Sequence, residues 1–229
     1  MASEFDLFLQ ARVVSRYSHC NVFDNITKTF YMIRDDDYVT FLELYLKYHK
    51  TLSYKLVEKK KSVFPFCVLL TFRNSSQHVD IPHLVNYASE IVDFVADYLA
   101  VDYDKVNYNS YHCTDRCDSI YLIFNDLYVN KTTYNEIFQL LFDYIIEGEG
   151  YALNWKDALR NLSTSSLTML GYHGYSYLAC KLDNENGKVH TATSLTLQDL
   201  LASSMWLISR DGTESIDHEL ANLTLSTEN

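Results

Sequence analysis

The chain has 229 residues, 48% of them apolar, which is enough for one large domain with its own core, or one domain plus a small flank. Six Gly and two Pro disfavour a barrel built on tight turns, and a net charge of −11 sets the long-range field against nucleic acid. Five Cys, an odd number, argue against a disulfide framework.

The N-terminal stretch lacks a basic-then-apolar leader pattern, and no apolar run reaches transmembrane length. The expectation is a reducing intracellular location with no membrane partner. The five N-x-S/T sequons at Asn25, Asn74, Asn130, Asn161 and Asn222 therefore carry no weight. Nineteen Tyr suit half-buried strands and protein interfaces, because the ring is apolar and the hydroxyl can stay wet.

Taken in order, residues 1–62 read as a mixed, mainly helical extension. Asp35, Asp36 and Asp37 interrupt the apolar pattern as a solvated acidic loop, and 38–56 is helical, with Phe41, Leu42, Leu44, Tyr45, Tyr48 and Leu52 on one side. Lys59, Lys60 and Lys61 form a solvated loop before 63–72, an apolar strand that tolerates Pro65 near its start. Asp80 and Pro82 open a helix whose Leu84, Val85, Ala88, Ile91, Val92 and Val95 face a sheet.

A short strand at 106–111 precedes the clearest second strand, 119–129. Thr133 and Glu136 form a capping-box pattern for a helix through Ile137, Leu140, Leu141, Tyr144 and Ile145. Segments 165–170 and 175–182 read as strands paired with each other, and Asn184 to Gly187 as a turn. Thr196 and Asp199 cap a last helix to about Ile208, before a polar tail from Ser209. Strands separated by helices place the chain in the α+β or α/β class.

The strand Phe66-Cys67-Val68-Leu69-Leu70-Thr71-Phe72-Arg73 resembles the first catalytic strand of the archaeo-eukaryotic primases of large DNA viruses. The order of later segments is similar to that of poxvirus-type primase–helicase N-terminal domains. Ser119-Ile120-Tyr121 stands where that family has a Ser-x-His nucleotide motif, and Leu167-Thr168-Met169-Leu170-Gly171 where it has its last motif strand. Asp157 lies ten residues before Leu167, at the family's spacing. The likeness spans roughly 58–182.

It implies an α+β fold with a primase-like (RRM-type) core, a mainly antiparallel sheet with packed helices. The segments are an N-terminal helical extension (1–62), the core (63–182), a C-terminal helical segment (183–208) and a flexible tail (209–229). It also implies a degenerate site. The two metal-gripping acids match Leu69 and Thr71, the histidine matches Tyr121, and the arginine of the last strand matches Thr168. Ser119 and Asp157 remain. Two-metal nucleotidyl transfer needs carboxylates to hold the ions, so no catalytic residue and no cofactor is expected.

Four other constellations stand out. Asp102 and Asp104 have D-x-D spacing, and Asp115, Asp118 and Asp157 would have to converge to replace the lost metal ligands; Asp157 and Asp118 are the residual metal candidates. His112, Cys113, Cys117 and His173 have zinc-ligand residue types but no second Cys pair. Tyr103, Tyr108 and Tyr111 alternate with Asn as base-stacking rings would, but with Asp102 and Asp104 adjacent the expected role is core or interface packing.

The functional expectation is a non-catalytic viral primase-like protein, a replication accessory or a virion component. It would act through contacts with other viral proteins or with itself, inside the host cell or in the particle. The alternatives are an active divergent primase with Mg²⁺ on relocated acids, and an unrelated viral structural protein.

Overall fold

A computed structural model describes residues 2–71, 81–113, 119–148, 158–162, 167–171 and 177–205. The fold is α+β, with two antiparallel sheets and five α-helices among the described residues. The larger sheet contains β5 (Val63–Thr71), β6 (Tyr108–Cys113), β7 (Ser119–Asn130), β8 (Leu159–Arg160), β10 (Tyr177–Asp183) and β11 (Lys188–Thr191). Helix α3 (Ile81–Leu99) joins β5 to β6, and α4 (Lys131–Gly148) follows β7.

The spatial order is β11-β10-β6-β7-β5-β8, every pair antiparallel. The run β5-α3-β6-β7-α4-β8 therefore has its fourth strand beside its first, then its third and second. That is the split β-α-β arrangement, lengthened past β6 by the β10–β11 hairpin. Gly187 takes a positive φ of 60° in that hairpin's turn, where the sequence expected one.

Local chemistry explains these elements. β5 and β7 are near-continuous apolar runs because both faces of the sheet are covered. α4 lays Tyr134 against Phe64 and Phe66, with ring centroids 5.7 and 5.1 Å apart. The Tyr134 hydroxyl donates to the Cys67 carbonyl (2.8 Å) and accepts from the Leu162 amide (3.1 Å), tying helix, strand and following loop together. α3 packs beside α4 and against β7 and β11, burying Leu84, Val85, Ala88, Ile91, Val92 and Val95.

The smaller sheet revises the expected helical extension. Helices α1 (Glu4–Gln10) and α2 (Asp35–Tyr48) are present, but so are β1 (Val13–Val14), β2 (Val22–Asp24), β3 (Phe30–Tyr31) and β4 (Leu56–Glu58). The order is β1-β3-β2-β4-β9, where β9 is Leu167–Thr168. Segments 165–170 and 175–182 therefore do not pair with each other among the described residues: β9 joins β4, while β10 joins β6 and β11. One buried cluster runs from Phe5, Tyr38 and Phe41 through both sheets.

Four local expectations change. Asp35, Asp36 and Asp37 form the first turn of α2, where the helix dipole favours acids, rather than a loop. The cap of α4 is Asn130, whose Oδ1 accepts from the amides of Thr132 (2.8 Å) and Thr133 (3.0 Å), not Thr133. The last helix, α5 (Leu197–Ser203), has the expected Thr196–Asp199 capping box but stops at Ser203, because Ser204 is extended. Lys60 is not a solvated loop residue: its Nζ sits 4.3 Å from the Phe64 ring centroid and donates to the Leu162 carbonyl.

Candidate functional site

Adjacent strands position the residues matched to the degenerate motif. Leu69 pairs directly with Tyr121, and Thr71 with Ser119, in the β5–β7 register. Direct antiparallel partners, and residues two apart along a strand, share a face. All four side chains therefore belong to one face of the larger sheet. Cys67 lies on the same face, as does Tyr111, whose ring is 6.3 Å from that of Tyr121.

The face is packed rather than open. Ser119, Thr71 and Tyr121 are 0%, 6% and 7% exposed, and Leu69 is half-buried against the core. The Ser119 hydroxyl donates weakly to the Thr71 hydroxyl at 3.4 Å. The last helix reaches over this side, where the Tyr111 hydroxyl donates to the Asp199 carbonyl at 3.3 Å.

The electrostatics are those of a dry interior. Burial pushes the Tyr121 phenol well above its ordinary value, with the Cys67 thiol beside it adding to the effect. The Tyr121 hydroxyl has no hydrogen-bond partner among the described residues. Burial also raises the Cys67 thiol, opposed by nearby Lys60. The same desolvation lowers Lys60, whose ammonium lies 4.3 Å from the Phe64 centroid and 5.2 Å from that of Tyr134. A thiol held protonated is a poor nucleophile. Leucine, threonine, serine and tyrosine here offer no carboxylate to a divalent ion.

Asp157 and Asp118 lie outside the described residues, as do Asp115, Cys117 and His173. Thr168 belongs to β9 and pairs with Val57 in the smaller sheet, so its backbone is not on the sheet that carries the other four positions. That placement departs from the resemblance, which puts all of them on one core. Asp102 is exposed and ion-paired with Lys105 at 2.5 Å, in a 3-10 turn with Asp104. Cys113 is buried in β6, and His112 Nδ1 is 3.2 Å from the Thr191 hydroxyl. No group of three or more His, Cys, Asp or Glu that could hold a metal gathers among the described residues.

The Tyr103, Tyr108 and Tyr111 series is structural. Tyr103 accepts from Asn184 Nδ2 at 2.7 Å, Tyr108 packs on Phe124 at 6.0 Å, and Tyr111 faces α5.

Two features left no signal that sequence reasoning used. Glu58 is a fully buried carboxylate on β4. Its Oε1 accepts from the Tyr38 hydroxyl (2.5 Å) and the Ser204 hydroxyl (2.8 Å), and its Oε2 from the Met205 amide (3.0 Å). The second is an aromatic trio on the smaller sheet, Tyr17, Phe23 and Phe30, with centroids 5.5 to 6.5 Å apart. The short strands that assemble it are too brief for periodicity to reveal.

No family model matches the chain, and no curated protein matches it. No helix among the described residues is long and apolar enough to cross a membrane.

Proposed function

We propose that this chain is a non-catalytic, primase-like viral protein that works through protein contacts, as a replication accessory or a component of the particle. The observation that carries the reading is the shared face of β5 and β7. The positions matched to the metal-gripping acids and the nucleotide motif are neighbours there, and they hold Leu69, Thr71, Ser119 and Tyr121. The β5-to-β8 connectivity is the one an RRM-type core requires, and that supports the same reading.

Catalysis by a primase needs metal, template and nucleotide to meet at an accessible face. This face has exchanged charge and hydration for buried contacts, which suits a scaffold. Large aromatic side chains are the residues that dominate protein interfaces, and other viral proteins or a second copy of the chain are the partners this predicts. The setting is the interior of the host cell or the virion.

The test is primer synthesis on a single-stranded template with nucleotides and Mg²⁺ or Mn²⁺, using the full chain. The expected result is no product above a protein-free blank. Metal-dependent product that disappears in Asp157→Ala would replace this reading with an active, divergent nucleotidyltransferase.

A further inference from the structure

The charge of the chain is segregated, and the smaller sheet is its basic part. Between Arg12 and Arg34 the sequence has one acid, Asp24, which is buried. Its carboxylate is consumed locally by the amides of Ile26, Thr27 and Lys55 and the Thr27 hydroxyl. The stretch 49–63 also has one acid, Glu58, fully buried on the core-facing side. The acidic excess therefore lies elsewhere in the chain, and this sheet presents cations.

Its two faces differ. Val22, Tyr31, Leu56 and Glu58 point into the core. On the other face Phe23 pairs with Phe30, and Tyr17 packs edge-on to both while staying 46% exposed. Lys59 Nζ lies 4.3 Å from the Tyr17 centroid and donates to the Tyr17 carbonyl at 3.0 Å, so its charge is fixed at the aromatic cluster. Arg16 is exposed immediately before Tyr17. Lys28, exposed in the β2–β3 turn, donates to Asn25 Oδ1 at 2.7 Å.

We propose that the aromatic face of the smaller sheet, formed by Tyr17, Phe23 and Phe30 with Lys59, and with the exposed Arg16 and Lys28 close to it along the chain, binds single-stranded nucleic acid. The chemistry needs both parts. Cations answer the phosphates, and the exposed Tyr17 ring, backed by the half-buried Phe23 and Phe30, takes unpaired bases, which a duplex keeps stacked inside. An acidic peptide would use the cations and leave the rings unexplained. The proposal stands apart from the primase-like reading, because it uses no residue of the β5–β7 face.

The experiment is fluorescence anisotropy of a labelled oligothymidylate of about 16 nucleotides with the full chain. Three cations on a single strand give a log–log salt slope of about −2, so affinity should fall roughly twentyfold between about 50 and about 200 mM salt. Tyr17→Ala should weaken binding about tenfold, the loss of roughly one stacked base. Arg16→Glu and Lys28→Glu, at exposed positions, keep the test valid if Tyr17→Ala fails to fold; each should weaken binding and flatten the slope. Lys188→Glu, exposed on β11 at the edge of the larger sheet, should change nothing. Binding absent at the lowest salt would overturn the proposal, as would equal loss in Lys188→Glu. So would displacement by oligoglutamate as effective as by unlabelled oligonucleotide, which would mark a charge-only surface for acidic protein segments.

Discussion

Truncating Glu58 should loosen the segment that follows α5, Ser204 and Met205, from the fold. Glu58 is fully buried on β4, and it accepts hydrogen bonds from α2 (Tyr38) and from the residues after α5 (Ser204 and Met205). Removing the acceptor from buried donors costs about 1–3 kcal/mol each, and the vacated volume adds to that. Glu58→Ala should therefore destabilise by about 3–5 kcal/mol, a large share of a total stability of about 5–15 kcal/mol. Urea denaturation followed by circular dichroism measures it.

The pH dependence supplies a second check. Burial raises the carboxyl above its ordinary 4.5, and the three donors only partly offset this. A raised folded-state value means the folded protein holds the proton more tightly than the unfolded chain. The contribution of this group is therefore fully present below about pH 4.5 and is lost as pH rises through the folded value. The stability advantage of the native protein over Glu58→Gln should be largest in acid and shrink to a plateau above that window. A loss under about 1 kcal/mol in Glu58→Ala, or an advantage that grows with pH, would refute the clamp.

Three further expectations concern the larger sheet and its helix. Placing acids at Leu69 and Thr71 together should not create an enzyme; two carboxylates on a buried face should cost several kcal/mol, read as a large fall in melting temperature with primer synthesis still absent. Tyr121→Phe removes a buried hydroxyl without a hydrogen-bond partner among the described residues, so it should be neutral or stabilise by about 1 kcal/mol; a clear drop in urea midpoint would show that the hydroxyl has a partner. Asn130→Ala removes the cap of α4 and should cost about 1 kcal/mol, whereas Thr133→Ala should cost less if Asn130 is the cap.

Much of the larger sheet was legible because its signals are local. The apolar runs of β5 and β7, the 3–4 spacing along α3 and α4, and the Thr196–Asp199 box of α5 each lie within one stretch of chain. The co-facial placement of Leu69, Thr71, Ser119 and Tyr121 comes from the register of two paired strands. The smaller sheet was not legible: β1, β3 and β9 are two residues each, too short to alternate. Lys60 and Glu58 sit in a lysine-rich stretch that reads as solvated, and only their distant neighbours, Leu162 and Tyr38, bury them.

Amino-acid order alone settled β5, β7 and the helices α3 and α4 of the larger sheet, though not the short β8 or β11, and that no carboxylate stands at Leu69 or Thr71, because periodicity and residue type are properties of neighbouring positions. Tertiary structure decided that β9 closes the N-terminal sheet, that Glu58 is enclosed, and that Tyr17, Phe23 and Phe30 converge beside Lys59. Those outcomes depend on which distant strands pair. Pairing is selected by burial summed over the whole core, which no single stretch of sequence contains.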